Sequence, residues 1–406
     1  MRAWLLLSLL LAATVLASPS AATIDAQSDG SDGALNVTSA DLTIDLSKAV
    51  KGAWNQPGTG TGVYDSTKWA VVFKYSSINI ASGYTVRFTN HPSGAPVVWL
   101  VQGVATIAGT VNLEGEYGGY PNRETVPGPG GFPGGRPQFP GSPGTAGFGP
   151  GGGAYAPGGG MTSGAGSYAT AGMGVSGPIY GNARILPLIG GSGGAGRTDN
   201  PNAGGAGGGA MLVVVGQNFR LTGVLYASGG ASGTAGGSGG AFRIVADTLA
   251  GNGAISAAGA TGGGNGRVRV EANVLTFSSQ SAPAYSLQLP LGPEGVVIWP
   301  PAPEPTVRIA TVNGQAVTAD PRMNPEALVS GDLTLSATSS IPITLVASNT
   351  PTNATITVRV VLGAGDAYTI PATFVSGDAT SSTWSATLTS LSPARVSSLQ
   401  AKAVLP

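Results

Sequence analysis

The sequence predicts an all-β protein: a parallel β-solenoid (β-helix-like) carrying a long glycine-rich insertion, followed by an immunoglobulin-like β-sandwich. A recurring segment is the first observation behind this. Val97-Val98-Trp99-Leu100-Val101 leads to Gly109-Thr110-Val111, and Met211-Leu212-Val213-Val214-Val215 leads at the same distance to Gly223-Val224-Leu225. Phe242-Arg243-Ile244-Val245-Ala246 leads, one residue sooner, to Gly253-Ala254-Ile255, and a fourth, frayed copy begins at Arg267. Second, each full copy runs into a glycine block (Gly115–Gly119, Gly229-Gly230, Gly259–Gly264), so strand, turn, short strand and glycine stretch form one unit. Self-similarity at fixed spacing is the signature of stacked repeats. Third, the composition changes abruptly at the proline-rich run 300–305, beyond which glycine falls and threonine, valine and serine rise.

The elements follow in order. Residues 1–26 read as a secretory signal and its processing region: one Arg, an apolar run from Leu5 to Leu16, and a small-residue cleavage site after Ala17, with Ala22 and Ala26 as alternatives. That run is too short for a membrane helix, and no other apolar stretch is long enough for one. Residues 27–299 form the glycine-rich solenoid domain, opening with a polar leader (27–40). Asp41–Leu46 then alternates polar and apolar with period two, and Trp69–Phe73, Ile78–Ile80 and Tyr84–Phe88 continue as strands. Residues 41–90 are expected to cap the solenoid.

The insertion, 118–209, holds 33 glycines in 92 residues. Its glycines do not keep the strict triplet of collagen. Disorder fits a composition with little apolar surface to bury. The scattered Phe132, Phe139, Phe148, Tyr155, Tyr168, Tyr180 and Ile185–Ile189 favour an ordered insertion lying across the solenoid face instead. Residues 300–305 are a stiff linker. In 306–406, Val307–Val312 and Gln315–Thr318 flank Asn313-Gly314, a hairpin turn signal. Asp332–Ala337, Ile341–Ala347, Thr355–Val361, Tyr368–Phe374, Thr383–Leu388 and Leu399–Val404 supply the further strands of a sandwich, with Trp384 as its core aromatic.

The stretch Gly94–Gly115, with Leu188–Gly194 and Gly204–Ala210, resembles a set of secreted, glycine-rich bacterial proteins in which a valine-rich strand and a Thr-Ile-x-Gly-Thr-Ile unit alternate with glycine blocks. The resemblance covers about residues 41–275. It implies an exported, β-helix-like surface or matrix protein, often with a sandwich domain at its end, and brings no catalytic residues.

Composition narrows function. Charged residues are 9% of the chain and the net formal charge is zero, which argues against a nucleic-acid partner. Cysteine is absent and His91 is the sole histidine, so disulfides, thiolate sites and zinc sites of the usual kinds are not expected, nor is any cofactor or metal. His91, in an Asn-His-Pro turn, reads as a solvated residue. Gly191–Gly196 matches a dinucleotide-binding glycine pattern, but Arg197–Pro201 cannot open the helix that chemistry requires.

Three functions compete. The leading one is a secreted structural or adhesive protein of the cell surface or extracellular matrix, a stiff scaffold partnered by itself or by other envelope or matrix components. The second is a polysaccharide-binding module. Its candidate ligand contacts are Tyr117 and Tyr120, exposed rings at a loop start, with Glu114 and Glu116 beside them. The third is a β-helix polysaccharide lyase or hydrolase, which would need Glu114, Glu116, Glu124, Arg123 and Asp199 to converge, with Arg184 and Arg197 in the same insertion. Asp247 and Glu271 stand alone in later repeats, so no catalytic residue is assigned and no enzyme is expected.

Overall fold

The computed structural model describes residues 24–406 except 120–122, 139–141, 157–162, 198–201, 234, 279, 323–330, 338 and 392–395. The chain is essentially all-β, with one short 3-10 turn, Leu46–Lys48, among the described residues. The strands before the proline-rich run are β1 (Ala34–Val37), β2 (Leu42–Asp45), β3 (Val50–Lys51), β4 (Val63–Asp65), β5 (Ala70–Tyr75), β6 (Ser77–Ile80), β7 (Thr85–Thr89), β8 (Val97–Val101), β9 (Ala105–Ile107), β10 (Thr110–Asn112), β11 (Ala210–Leu221), β12 (Val224–Tyr226), β13 (Ala241–Gly251), β14 (Ala254–Ser256), β15 (Arg267–Phe277), β16 (Gln280–Ala282) and β17 (Ser286–Gln288).

These strands form an 11-stranded and a 6-stranded sheet, mostly parallel. The repeated segments lie side by side: Val97 pairs with Met211, Met211 with Phe242, and Phe242 with Val268. The fourth copy therefore aligns on Val268, one residue after Arg267. Thr110, Val224 and Ala254 are aligned in the same way in the smaller sheet. A repeat that sequence reading missed comes earlier, because β5, β6 and β7 pair in parallel with β8, β9 and β10. Ala70–Thr89 thus belongs to the stack and not to a cap, and only β1 to β4 lie beyond it.

Stacking in register turns each apolar position into a column. Phe73, Trp99, Val213, Ile244 and Val270 are successive cross-strand neighbours, all buried. Leu35, Ile78, Ala105, Phe219 and Leu249 form a second column, and Val86, Val111, Leu225 and Ile255 a third in the smaller sheet. The three columns meet in one core. Unbroken apolar runs such as Val97–Val101 mark strands buried on both faces, as parallel strands are. Their second face, through Val72, Val98, Leu212 and Val245, packs against Tyr168, Tyr180, Ile185, Leu188 and Ile298.

The glycine-rich segments obey a different rule. From Gly204 to Ala210, backbone N–H groups donate with a period of three. Gly204, Gly207 and Ala210 bond to the carbonyls of Gly135, Phe132 and Pro129. Gly205 and Gly208 bond to Ala235 and Ser238, and Ala206 and Gly209 to Glu116 and Leu113. The same step recurs where Phe132, Gly135 and Gln138 donate to Gly191, Gly194 and Arg197, and where Gly191, Gly194 and Arg197 donate to Gly208, Gly205 and Asn202.

Three residues per turn is the period of a polyproline II chain, which makes no internal hydrogen bonds and so turns its donors outward in three directions. Each extended chain is therefore bonded to several neighbours, forming a bundle in place of a sheet. Spacing is set by the backbone: a Cβ on Gly205 would fall well inside 3.0 Å of the Gly230 carbonyl oxygen, and one on Gly208 equally close to that of Ala227. Alanines are accommodated at two positions of the remaining set, Ala203 and Ala206, both fully buried. Backbone hydrogen bonds do the ordering work that apolar burial does in the sheets.

Beyond the proline-rich run, β18 (Thr306–Val312), β19 (Gln315–Ala316), β20 (Ser339–Ser348), β21 (Thr355–Val361), β22 (Ala367–Pro371), β23 (Thr373–Gly377), β24 (Ser381–Ser390) and β25 (Ser398–Val404) make a five-stranded and a three-stranded antiparallel sheet. The two share a core that includes Ile343, Leu345, Val358, Val360 and Trp384. Asn313 and Gly314, at φ 51° and 76°, form the hairpin turn between β18 and β19. Two expectations are corrected. Asp332–Ala337 is not a strand. Tyr368–Phe374, expected as one strand, is divided between β22 and β23, which belong to different sheets. The break falls at Pro371, which has no N–H, and at Ala372, whose N–H goes to Ile356 O at 2.9 Å.

This part grips the glycine bundle. Gly365 N donates to Gly144 O at 2.8 Å, Tyr155 N to Asp366 Oδ1 at 2.8 Å, and Arg359 Nη2 to Gly147 O and Gly152 O at 2.9 and 3.1 Å. Arg136 donates through Nη2 to Gly363 O.

Candidate functional site

The expected ligand contacts separate on inspection. Glu114 follows β10 and is exposed; its backbone N–H donates to Asn112 Oδ1 at 2.8 Å, and Asn112 Nδ2 returns a bond to Glu114 Oε2 at 3.2 Å. Glu116 is committed elsewhere. Arg123 grips it through both guanidinium nitrogens (2.8 and 2.7 Å), and Val126 N donates to it at 2.8 Å, so it clamps the chain between 116 and 126. Tyr117 is 56% exposed. Tyr120 and Asp199 lie outside the described residues. Arg123 Nη1 also bonds the backbone oxygen of Glu124, Arg184 pairs with Glu294 at 3.2 Å, and the carbonyl of Arg197 accepts from Gln138 N. Of the residues expected to converge, the structure brings Glu116 and Arg123 together, while Glu114 turns to Asn112 and Arg184 to Glu294. Among the described residues no group of three or more acids or histidines is placed to hold a metal ion.

Glu114 belongs to a surface that sequence reading did not assemble, the outer face of the smaller sheet. Its strands β7, β10, β12 and β14 each set one buried inward residue between half-buried or exposed outward ones, and in β16 at the edge the inward Ser281 is half-buried. The register places Asn112 beside Tyr226, Tyr226 beside Ser256, and Ser256 beside Ala282. Thr85, Thr110, Val224, Ala254 and Gln280 form a parallel row two residues away. Ser228 and Ser256 share a hydroxyl hydrogen bond of 2.9 Å. Arg87 lies at one end, paired with Asp41 at 2.8 Å; that hydrogen bond holds the Asp41 carboxyl below its ordinary value. The periodicity of Val224-Leu225-Tyr226 was visible in the sequence, but the neighbours of Tyr226 come from other repeats, Asn112 from over a hundred residues earlier and Ser256 from the repeat that follows.

Two further clusters escaped sequence reading. Glu271 is not alone: its carboxylate receives Arg243 Nε at 2.8 Å and Arg269 Nε at 2.7 Å, all three being buried or nearly so on the covered face of the larger sheet. Burial pushes its pKa up, but the hydrogen bonds and charges of Arg243 and then Arg269 outweigh this and hold the carboxyl below its ordinary value. Asp247 is likewise partnered, by Asn273 Nδ2 at 3.0 Å.

His91 is not a solvated turn residue either. Its ring stacks on Tyr64 at 3.9 Å, Nδ1 lies 2.8 Å from Ser93 Oγ, and burial lowers its pKa. Tyr64 donates its hydroxyl to Asp320 Oδ1 at 2.5 Å, while Lys51 reaches Oδ2 at 2.9 Å. This cluster joins the parallel sheets to the C-terminal part, as does Lys68 with Glu304 at 2.9 Å.

No protein-family model, no curated protein and no solved structure matches this chain.

Proposed function

We propose that the protein is a secreted structural or adhesive scaffold of a cell surface or extracellular matrix: a parallel β-solenoid braced by its glycine bundle, with an immunoglobulin-like sandwich at its end. The observation that carries this reading is the bundle's period-three bonding, in which Gly204–Ala210 is held by three separate segments at once. Such cross-bonding resists local opening, because freeing one chain breaks bonds to all its neighbours. Scarcity of charge and an apolar leader at residues 5–16 support export to a surface or matrix.

The ends of the stack bear on how copies would associate. In one column β4 and β3 continue past β5, and at the far end of that column β17 continues past β15; the other columns extend by a single strand at one end and none at the other. Extra strands at both ends of one column oppose end-to-end registry and favour association through faces. Electron microscopy of the secreted protein tests the reading. Layers, sheaths or lateral clusters support it, and uniformly dispersed single particles at high concentration count against it.

A second reading, polysaccharide binding, is favoured by a specific contrast. The outer face of the larger sheet is covered by the glycine-rich chain over the first halves of its long strands and is exposed at Asn218, Arg220 and Val274 in their second halves, whereas the outer face of the smaller sheet bears uncharged polar groups around Tyr226.

A further inference from the structure

Building on the polysaccharide reading, we propose that the outer face of the smaller sheet binds a neutral, extended, β-linked polysaccharide laid across the strands, with Tyr226 as its stacking platform. The chemistry of the face selects the ligand. Between β7 and β16 its outward groups are Thr, Asn, Ser, Gln, one tyrosine and small aliphatics. Its charges are Arg87, neutralised by Asp41, and Glu114, which shares two hydrogen bonds with Asn112. A nucleic acid or an acidic glycan needs clustered cations, which this row lacks. A protein partner needs an apolar centre with several anchors, and one half-buried tyrosine beside Val224 falls short of that. A hydroxyl-rich chain needs donors and acceptors in line and a flat ring to stack on, and the row supplies both.

Spacing agrees with chemistry. The pairings β10–β12, β12–β14 and β14–β16 run without a register shift, so outward side chains form straight rows perpendicular to the strands. Two strand steps span about 9–10 Å, comparable with the disaccharide repeat of an extended β-linked chain. A sugar over Tyr226 would then find Asn112 on one side and Ser256 on the other, with Glu114 and the Ser228 hydroxyl two residues along. Asn112, Tyr226 and Ser256 act here as binding residues, and no bond is made or broken.

The test uses the full chain and measures depletion from solution by microcrystalline cellulose and by chitin, with an alginate gel as the acidic comparator. The expected result is retention on cellulose or chitin, weakened about tenfold by Tyr226→Ala, the low end for truncating an aromatic anchor, with circular dichroism and melting temperature unchanged. Ser256→Arg, which adds a charged bulk on the solvent side of the neighbouring strand, should weaken retention equally and keeps the test decisive if Tyr226→Ala unfolds. Retention that neither change affects overturns this face while leaving the polysaccharide reading standing. Preference for alginate overturns the neutral class, and no retention on any of the three overturns the polysaccharide reading itself.

Discussion

Ala206 donates its backbone N–H to Glu116 O at 3.1 Å, and its own carbonyl accepts the N–H of Gly230 at 2.7 Å. One alanine thus ties together glycine segments that leave two different repeats, and the residues on either side of it bond elsewhere. The molecule's behaviour under mutation should follow from that arrangement.

Glycines at the bundle's contacts should tolerate no side chain. Gly208→Ala would press its methyl onto the Ala227 carbonyl oxygen, a backbone atom that cannot swing away. The expected loss is about 1–3 kcal/mol, read as a lowered melting temperature. The converse change, Ala206→Gly, removes a methyl without a clash and should cost about 0.5–1 kcal/mol. Equal losses from the two changes would count against backbone-limited packing.

Glu271→Gln should be among the most damaging single changes in the larger sheet. Arg243 and Arg269 are directly opposite each other on β13 and β15, and Glu271 is the shared anion between them. Removing its charge leaves two guanidinium groups in a covered site, at a cost of about 3–5 kcal/mol. Chemical denaturation of the two proteins at neutral pH would measure it.

The same pair sets a pH dependence. Because the folded carboxyl of Glu271 is held below its ordinary value, its contribution is present above the unfolded pKa and is lost as pH falls through the folded one. Asp320 follows the same sign: burial raises its pKa, and the bonds from Tyr64 and Lys51 more than offset this. Stability should therefore decline on acidification below about pH 4, and a melting series should show a shallower acid decline in Glu271→Gln than in the parent.

Asp320→Ala should loosen the junction between the parallel sheets and the C-terminal part without unfolding either. It removes the acceptor of Tyr64 and the partner of Lys51 but leaves Lys68–Glu304 and the Gly144–Gly365 contact in place. With a partly exposed acid, the loss should be about 1 kcal/mol. Limited proteolysis should show faster cleavage in the proline-rich run ahead of β18, with the antiparallel sheets left as an intact fragment.

Much of the β-architecture was legible because it is written in local periodicity. Val97–Val101 and Met211–Val215 announce themselves as buried strands, and their equal distances to Gly109 and Gly223 already contain the register. The repeat at Ala70–Thr89 was harder to see, since Tyr84 stands before Thr85 where Gly109 stands before Thr110, and no glycine block follows it. Tyr368–Phe374 reads as one strand because periodicity carries no information about which sheet each half joins. At the candidate site, Glu114 was legible as an exposed acid, while the ion pair of Glu116 was not: nothing local to it shows that Arg123 folds back to grip it.

The sequence by itself determined that the chain is rich in β-strands, that its segments repeat, and that it is poor in charge, because strand periodicity and composition are properties of near neighbours. Tertiary structure decided which residues share a surface and what the glycines do. Tyr226 gains Asn112 and Ser256 as neighbours only when separate repeats are stacked. The period of three in the bundle lies in hydrogen bonds between chains far apart in sequence, since an extended glycine chain has no internal partners and takes its order from whatever surrounds it.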